Sequence, residues 1–506
     1  MKIVTTDTII QLDRTAQEKF HIPGIVLMEQ AGIAVFDILN KHIVDSGFSE
    51  KKMCNITFIA GPGNNGGDAL VAAREASVKG YKNISILLVR EKSNVIVQKQ
   101  RVMCESIGIP LFVWGDTYSQ KVLEDSDFII DGISGTGLSG DIRGPAREII
   151  ELIAIITRKK EGKPFVLSVD LPSGMYEDGG AYSPVLDADI TVTMGLQKTL
   201  LYYPHNRLKC GIIICRNPGF PIELLEQSEK EGNIISLENT KLPKLPQNAY
   251  KNTKGHAGVF AGSFGMTGAA ILSSTAALRV RTGLVSLFAD PDVYPAAIKR
   301  TASLLVNSIA FDEIISRRKL AEKFTSLLVG PGWSTSELHI AQLIEVLESG
   351  LPTVIDADGI TLYAQVSKTP GFVNNSNNCV FTPHPGEFLR LSGVSSKENP
   401  EKVVAAVKKF AEKNSCTVVY KSHITYIVSA KGDLSVIDGM NPALGTAGSG
   451  DILAGVIAGL LAQGYDGYEA ACLGAALHQK AGRIAYDNIG IFTSEDLLPV
   501  ISSLSK

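Results

Sequence analysis

Short apolar runs recur through the first half of the chain and alternate with segments of helical periodicity. Residues 1–55, before the first of these runs, are predicted to be helical. The runs predict strands at Ile56–Ala60, Ile84–Val89, Phe128–Asp131, Val166–Asp170 and Ile190–Thr193. Strands separated by helix-length segments indicate a mostly parallel sheet with helices on both faces.

The same alternation returns in the second half, after a passage rich in Pro and charged residues that starts at Asn217. Strands are predicted at Val259–Ala261, Leu284–Ala289, Leu327–Val329, Thr353–Asp356, Val380–Thr382, Thr417–Tyr420, Ile424–Val428 and Leu434–Ile437. We therefore predict two α/β domains of three layers, residues 1–222 and 241–506, with a linker at 223–240.

Composition and charge narrow the class of protein. Of the 506 residues, 45% are apolar and 20% charged, as in ordinary globular domains. A net charge of -3 without a long Lys/Arg run argues against nucleic acid as a partner. Seven Cys with no C-x-x-C pair fit a reducing compartment. Met1–Asp13 lacks the apolar core of a secretion signal, and Ile452–Ala462 is too short to cross a membrane. We expect a cytoplasmic enzyme with no membrane partner.

A run of small residues, Gly445–Gly450, leads through Asp451 into the apolar segment Ile452–Ala462. Small residues ahead of a helix let backbone N–H groups converge beside the positive end of the helix, which suits a phosphate. A carboxylate beside such a nest is suited to taking a proton from an attacking hydroxyl. The alternative is an Asp-capped, Gly-rich turn without a ligand.

The first predicted strand ends in a comparable motif, Gly61-Pro62-Gly63-Asn64-Asn65-Gly66-Gly67-Asp68. The two Asn residues exclude the usual dinucleotide fingerprint. Their amides could hold a ribose or an amide, or supply oxygens to a monovalent cation. The alternative is a tight turn in which Asn and Gly provide positive φ angles.

Two further strands of the first half also end in Asp beside Gly. Their motifs are Asp131–Gly140, a second Gly-rich loop, and Asp170–Gly174. Any one of these Asp residues could simply stabilise a turn. Because ligands bind at the carboxyl ends of parallel strands, three such strand ends at one edge favour a site.

The strand ends of the second half are polar as well. They carry Gly330–Gly332, Asp356–Asp358, Thr382–Glu387 and Lys421–Thr425. His384 lies between two prolines on a stiff backbone, which suits a fixed functional orientation or a buried structural His. Asp356 and Asp358 could bind Mg²⁺, although capping of the following helix is the favoured reading. Lys421–Thr425 could line a nucleotide or form a solvated hairpin edge.

In this order, the motifs resemble those of bifunctional NAD(P)H-hydrate repair enzymes. These enzymes fuse a Rossmann-like epimerase domain to an ADP-dependent dehydratase domain of the ribokinase-like class. The resemblance spans nearly the full length. It departs from the family pattern at Ala69, where Gly is frequent, and at Trp333-Ser334, in place of Leu-Gly.

The resemblance implies the residues of each site. In the epimerase domain the hydrated dinucleotide would contact Asn64, Asn65, Gly66, Gly67, Asp68, Gly135, Thr136, Gly137, Leu138, Ser139, Gly140, Asp141 and Asp170. K⁺ would be bound by Asn65, Asp131 and Ser173. In the dehydratase domain the hydrate would contact Ala269, Gly332, His384 and Asp451. The adenine nucleotide would contact Lys421, Ser422, His423, Ile424, Thr425 and Gly450, with Mg²⁺ as a cofactor.

The same resemblance implies the activity. The first domain would interconvert the R and S epimers of hydrated NADH and NADPH, with Asp170 as its candidate acid/base residue. The second would dehydrate the S epimer with ADP, Asp451 acting as base, to give NAD(P)H, AMP and phosphate. The chain is expected to form a homo-oligomer. The alternatives are a kinase for a vitamin precursor and, for the first half, a binding module without catalysis.

Overall fold

The chain forms two compact units, Lys2–Glu231 and Gly232–Lys506. The computed structural model describes all residues except 48–52, 139, 159–161, 177–183, 239–240, 243, 301, 309–313, 370–371, 373, 375 and 377. Ser139, a predicted site residue, therefore lies outside the described residues. The division falls inside 223–240, parts of which form a helix and a strand, and the exact domain bounds stay a prediction.

The N-terminal unit alternates strands and helices. Its strands are β1 (Lys2–Val4), β2 (Ile56–Ala60), β3 (Ile84–Leu88), β4 (Leu111–Val113), β5 (Phe128–Gly132), β6 (Phe165–Val169), β7 (Ile190–Met194), β8 (Gln197–Lys198) and β9 (Ile212–Arg216). Its helices are α1 (Thr6–Glu18), α2 (Gly24–Asp45), α3 (Asn64–Val78), α4 (Val95–Ser106), α5 (Ser119–Glu124), α6 (Pro145–Thr157), α7 (Pro204–Arg207) and α8 (Ile222–Gln227).

Seven of these strands form one parallel sheet in the order β4-β3-β2-β5-β6-β7-β9. Phe58 of β2 packs with residues of α2 and α3, and its neighbour Ile59 packs with residues of α5 and α6 on the other face. The predicted three-layer α/β arrangement is thus confirmed. Strand order reverses between β2 and β5, and this is the point where parallel sheets open a crevice for ligands.

The N-terminal unit differs from the sequence prediction in several details, and strands β4, β8 and β9 were not predicted. Residues 1–55 were expected to be helical, but β1 pairs in parallel with β8, placing Val4 opposite Lys198. Three residues are too few to display a strand pattern. Helix α3 begins at Asn64, so Asn64–Asp68 is its first turn rather than a preceding loop.

The C-terminal unit contains strands β10 (Gly232–Ile234), β11 (His256–Phe260), β12 (Leu284–Ala289), β13 (Leu305–Ser308), β14 (Ser326–Val329), β15 (Thr353–Ile355), β16 (Val380–Phe381), β17 (Thr417–Tyr420), β18 (Ile424–Val428) and β19 (Leu434–Asp438). Its helices are α9 (Thr267–Arg279), α10 (Tyr294–Ala297), α11 (Arg317–Lys323), α12 (Glu337–Leu347), α13 (Ala357–Val366), α14 (Pro385–Ser392), α15 (Pro400–Lys413), α16 (Ser449–Ala462), α17 (Gly467–Ile489) and α18 (Ser494–Leu504).

Its sheet has the order β13-β12-β11-β14-β15-β16-β17-β18-β19-β10, with β18 antiparallel to both neighbours. Strand order reverses between β11 and β14. Helix α16 packs closely on α9. The approach is so close that a Cβ at Gly455 would lie 2.1 Å from the Ser273 carbonyl oxygen. Within the described part of the chain, no helix combines the length and apolar character needed to span a membrane.

Candidate active sites

A cavity of about 700 Å³ opens at the reversal of strand order in the N-terminal unit. Side chains from α1, the first turn of α3 and the loop after β5 surround it. Of the predicted substrate residues, it brings together Asn64, Asn65, Asp68, Gly135, Thr136, Gly137, Leu138 and Asp170. Gly66, Gly67, Gly140 and Asp141 do not line this cavity. Asp141 instead accepts a hydrogen bond from the Tyr176 hydroxyl, at 3.1 Å.

Gly66 and Gly67 let α3 start close to its neighbours. A Cβ at Gly66 would lie 2.0 Å from the Gly61 carbonyl oxygen, and one at Gly67 would lie 2.4 Å from the Met28 sulfur. Asn64 and Asn65 are helical and do not have positive φ angles, so the alternative of a positive-φ turn is wrong for them. The close approach aims the first turn of α3 at the cavity.

The three predicted K⁺ ligands lie around the loop after β5. Ser173 donates from its backbone N to Asp131 Oδ2 at 2.9 Å and from its hydroxyl to Asp131 Oδ1 at 2.5 Å. Ser134 N donates to the Ser173 hydroxyl at 2.9 Å, and Asn65 Nδ2 donates to the Ser134 carbonyl oxygen at 3.1 Å. One hydrogen-bonded chain therefore links Asn65, Asp131 and Ser173.

The donor set of this chain fits K⁺. Asp131 is fully buried, and burial raises the pKa of its carboxyl group although Ser173, Ile133 and Ser168 donate hydrogen bonds to it. All of these partners are neutral, so a bound cation would compensate the buried charge. The assignment of O and N in the Asn65 amide follows from its hydrogen bonds, and rotation would turn an oxygen toward the same position.

Asp170, which follows β6, has a left-handed backbone with φ of 64°. Its carboxylate forms an ion pair with Lys198 and accepts a hydrogen bond from Met194 N at 3.0 Å. Lys198 is fully buried, and none of the sequence motifs indicated it. One sequence feature could have indicated it: Lys198 is a single Lys between the mainly apolar stretches Ile190–Leu196 and Leu200–Leu201. A Lys buried in such a region needs a partner of opposite charge.

In the C-terminal unit, α16 begins at Ser449 after Gly448, whose φ is 87°. Asp451 therefore lies in the first turn of a helix whose following residues are almost all buried. The Ser449 hydroxyl is 3.0 Å from Nε2 of His478, whose pKa burial lowers to about 4. A neutral His478 thus contacts the first residue of α16 through the Ser449 hydroxyl.

Asp451 has an unusual electrostatic environment. Burial raises the pKa of its carboxyl group to about 7, Asp356, Asp358 and Glu387 add to this effect, and Lys421 opposes it. Asp451 thus lies near three other acidic side chains and one lysine at the strand ends of this unit. A carboxyl group with a pKa near neutrality can accept and release a proton under ordinary conditions.

Lys421 connects this group of charges. Its Nζ donates to Asp356 Oδ1 at 2.7 Å, and a Cβ at Gly450 would lie 3.4 Å from the same nitrogen. Burial lowers the pKa of Lys421, but Asp356, Glu387 and Asp451 together raise it above its ordinary value. Lys421 therefore stays cationic beside the first turn of α16.

Asp356 and Asp358 are both engaged by protein groups. Asp356 holds the N-cap position of α13 without capping it, and its Oδ1 accepts from Lys421 and from the Thr382 hydroxyl at 2.7 Å. Asp358 Oδ2 accepts from Ser334 N at 2.8 Å. Among the described residues no group of three His, Cys, Asp or Glu side chains could hold a metal ion. These residues alone do not form a site that fits Mg²⁺.

His384 caps α14 instead of being a buried structural residue. Its Nδ1 accepts from Gly386 N at 3.0 Å, while Glu387 Oε2 accepts from His384 N at 2.8 Å. These contacts leave the ring proton on Nε2. The side chain is 53% exposed, and its Nε2 lies 3.4 Å from Glu387 Oε1, so a ligand would approach the ring beside that carboxylate.

The remaining predicted residues fall into two local groups. Ala269 lies in the first turn of α9, and a Cβ at Gly332 would lie 3.0 Å from its Cβ, so the two meet at the reversal between β11 and β14. The segment 422–425 forms a turn in which the Ser422 hydroxyl donates to the Ile424 carbonyl oxygen at 2.7 Å. Thr425 donates to the Ser422 carbonyl oxygen at 3.1 Å.

Substitution of Gly330 should damage the C-terminal site through its backbone. A Cβ there would lie 1.9 Å from the Asp356 carbonyl oxygen, and the φ of 118° disfavours any side chain. We expect Gly330→Ala to destabilise this unit by about 3 kcal/mol or more in thermal unfolding. Gly350→Ala is the matched control, since Gly350 has φ of 75° with no atom within 4 Å. It should cost only about 1 kcal/mol, and equal costs would contradict the steric explanation.

The fold and the two polar clusters define a two-unit α/β protein with a candidate ligand site at the strand ends of each unit. Residues 24–200 match the family model described as YjeF-related protein N-terminus, and residues 257–503 match the model described as NAD(P)H-hydrate dehydratase. The chain is 31% identical over 508 residues to the bifunctional NAD(P)H-hydrate repair enzyme Nnr of Moorella thermoacetica, covering 95% of this chain and 92% of that protein. It belongs to the family of bifunctional NAD(P)H-hydrate repair enzymes.

A further relative and two solved structures are also similar to this chain. The Nnr protein of Coxiella burnetii is 30% identical, with 95% of this chain and 94% of that protein covered. A ribokinase-like superfamily protein of Enterococcus faecalis is 25% identical with a TM-score of 0.46, covering 54% of this chain and 91% of that one. The ADP/ATP-dependent NAD(P)H-hydrate dehydratase of Bacillus subtilis, co-crystallised with ATP/Mg²⁺, is 24% identical with a TM-score of 0.46, covering 52% and 93%.

Proposed function

We propose that this chain repairs hydrated NADH and NADPH. Its N-terminal unit interconverts the R and S epimers, and its C-terminal unit dehydrates the S epimer with ADP, giving NAD(P)H, AMP and phosphate. The observation that carries the dehydratase proposal is the position of Asp451 in the first turn of α16, beside Gly450 and the cationic Lys421.

Dehydration requires that a poor leaving group become a good one. Asp451 takes the proton from the ring hydroxyl of the hydrate as that oxygen attacks the terminal phosphorus of ADP. The backbone N–H groups of Gly448–Gly450 and Lys421 stabilise the charge on the transferred phosphoryl group. AMP leaves as the new phosphate ester forms. The C–O bond of the ester then breaks, which releases phosphate, and the neighbouring ring carbon loses a proton to solvent, which restores the ring double bond. His384, with its exposed Nε2–H, and Ala269 and Gly332 contact the hydrate.

Lys421, Ser422, His423, Ile424, Thr425 and Gly450 are the proposed contacts of the adenine nucleotide. Mg²⁺ is expected only from the family resemblance, because Asp356 and Asp358 are engaged elsewhere. Mg²⁺ commonly keeps several waters and binds through the phosphates of its nucleotide. No step assigned to Asp451 or Lys421 depends on it.

In the N-terminal unit, the residues of α3 and of the loop after β5 that line the cavity bind the hydrate. The family resemblance adds further contacts to the hydrate from Gly66, Gly67, Ser139, Gly140 and Asp141. Asn65, Asp131 and Ser173 would hold K⁺, which supplies a positive charge beside the buried Asp131. The proposed location is the cytoplasm, and a homo-oligomer is the proposed state of assembly.

The pH dependence of dehydration tests the role of Asp451. Because a base must be ionised to act, and because the pKa of Asp451 is raised to about 7, activity should be lost as pH falls through about 7. We expect kcat/KM for dehydration to rise with pH up to this value and to level off above it. The range from pH 5 to pH 8 extends at least about one unit to either side of this pKa. If kcat/KM does not change over that range, Asp451 is not the base.

The function itself is tested by incubating the full chain with hydrated NADH and ADP. Recovery of the absorbance of the reduced nicotinamide is the expected result. A parallel assay with ATP decides the phosphoryl donor. Absence of recovery with either nucleotide would refute the proposed dehydratase.

A further inference from the structure

The cavity of the N-terminal unit contains two carboxyl groups in contrasting surroundings. Asp68 of α3 and Asp170 after β6 both line it, and both are more than nine-tenths buried. Asp170 Oδ1 accepts hydrogen bonds from Lys198 Nζ, from Met194 N at 3.0 Å and from the Thr193 hydroxyl at 3.3 Å. In the described part of the chain, no side-chain hydrogen bond to Asp68 is present.

Lys198 serves Asp170 and not a ligand. It is fully buried and does not line the cavity. Besides its ion pair with Asp170, its Nζ donates to the Thr193 hydroxyl at 2.9 Å and to the Met194 carbonyl oxygen at 3.0 Å, which uses all three protons. The pairing of β8 with β1, in which Lys198 lies opposite Val4, fixes its backbone.

These surroundings favour opposite protonation states for the two carboxyl groups. Asp170 has a cation and two neutral donors, so its ionised form is compensated. Asp68 has no such cation or side-chain hydrogen-bond donor among the described residues, and it lies near the carboxylate of Asp170. Burial, followed by Asp170 and Asp13, raises its pKa well above the ordinary value, and Lys198 opposes this only in part. Two such carboxyl groups on one cavity are the usual arrangement of an acid and a base.

Epimerisation of the hydrate needs this pair of roles. Addition of water to the enamine double bond of a dihydronicotinamide places the hydroxyl on the carbon next to the ring nitrogen. If that hydroxyl is protonated, it can leave as water while the nitrogen lone pair forms a C=N⁺ bond. Water then adds to the opposite face and loses a proton. No atom is oxidised or reduced, and one water leaves for each that adds.

We propose that Asp68 is the general acid and Asp170 the general base of this epimerisation, and that Lys198 is the positioning residue that keeps Asp170 ionised. Asp68 gives its proton to the departing hydroxyl, and Asp170 takes a proton from the incoming water. A proton then returns from Asp170 to Asp68 through cavity water, which resets the pair. The proposal rests on the epimerase function proposed above.

The first test replaces Asp68 with Asn, which keeps the shape and removes the acidic proton. We expect Asp68→Asn to slow epimer exchange, followed by chromatography of the two epimers, by about 100- to 10,000-fold. ADP-dependent dehydration of the S epimer by the same polypeptide should persist, and unchanged thermal unfolding of the N-terminal unit is the folding control. If Asp68→Asn exchanges the epimers at the wild-type rate, Asp68 is not the acid.

Infrared difference spectra of the full chain at neutral pH give a readout that does not depend on activity. The Asp68→Asn spectrum should lose the carbonyl band of a protonated carboxylic acid, whereas Asp170→Asn should lose carboxylate bands. The reverse pattern would overturn the assignment of acid and base.

The positioning role of Lys198 is tested with Lys198→Met through the pH profile of exchange. Loss of the cation leaves the Asp170 carboxylate without the charge that compensates it, so the limb of the profile on the acid side should move to higher pH. The other charged or titratable groups here are Asp13 and Arg90 on the cavity and Cys215 near Lys198. Lys198→Arg, which keeps the charge, should retain more of the wild-type profile. Loss of stability with an unmoved limb in both variants would make Lys198 merely structural.

Failure of this inference differs from failure of the epimerase function. If the wild-type chain does not exchange the epimers at all, the proposed function of the N-terminal unit is wrong. If the wild type exchanges them and Asp68→Asn does so equally well, only the assignment of the acid is wrong.

Discussion

Replacement of Asp451 by Asn is expected to abolish dehydration while stabilising the C-terminal unit. The substitution removes the proposed base, so the rate should fall by about 100- to 10,000-fold. At pH 8, one unit above the pKa of about 7, the native carboxylate is largely ionised in a buried site near Asp356. Because Asn carries no charge, the free energy of unfolding should rise by about 1–3 kcal/mol.

The measurement is the absorbance assay with the S epimer and ADP, combined with thermal unfolding at pH 8 and pH 5. The gain in stability should shrink at pH 5, where native Asp451 is mostly protonated, because its pKa is raised above that of an unfolded Asp. Epimer exchange should continue at the wild-type rate. A variant that retains dehydration would contradict the role of Asp451, and a variant that loses both activities and stability would point to misfolding.

Removal of Lys421 should strongly destabilise the C-terminal unit and abolish dehydration. Lys421→Met leaves Asp356, which is 1% exposed, as a buried carboxylate with only the Thr382 hydroxyl and no cation. Breaking a buried pair in this way costs about 3–5 kcal/mol in the free energy of unfolding. Dehydration should be lost, since the proposed cation beside the transferred phosphoryl group is absent.

The double variant Lys421→Met/Asp356→Asn separates stability from function. It removes both charges, so most of the unfolding free energy should return. Dehydration and ADP binding, followed by calorimetry, should remain impaired because the cation is still missing. Recovery of full dehydration in the double variant would show that Lys421 acts only by neutralising Asp356.

The polar strand ends were predictable, since the carboxyl ends of parallel strands meet at one edge. The position of Asp451 in the first turn of α16 and the strands β2 and β12 agree with the sequence pattern. The period of apolar residues and the local composition determine these features, and both are visible within a short window.

Features that depend on distant contacts were not predictable. Strand β1 exists through pairing with β8, and the Thr199 hydroxyl bonds the Val4 carbonyl oxygen across 195 positions. The ion pair of Lys198 with Asp170 depends on that arrangement. Helix α3 begins at Asn64 although Asn and Gly are poor helix formers, because tertiary packing against β2 and α2 outweighs propensity. The function of Asp356 likewise depends on Lys421, which lies 65 positions away.

The most direct test of the whole account supplies both hydrate epimers of NADH together with ADP. The wild-type chain should convert all of the hydrate to NADH, because the N-terminal unit feeds the R epimer to the dehydratase. Asp170→Asn should stop after consuming the S fraction, apart from slow spontaneous exchange, and Asp451→Asn should form no NADH. Complete conversion by Asp170→Asn at the wild-type rate, or any rapid conversion by Asp451→Asn, would contradict the account.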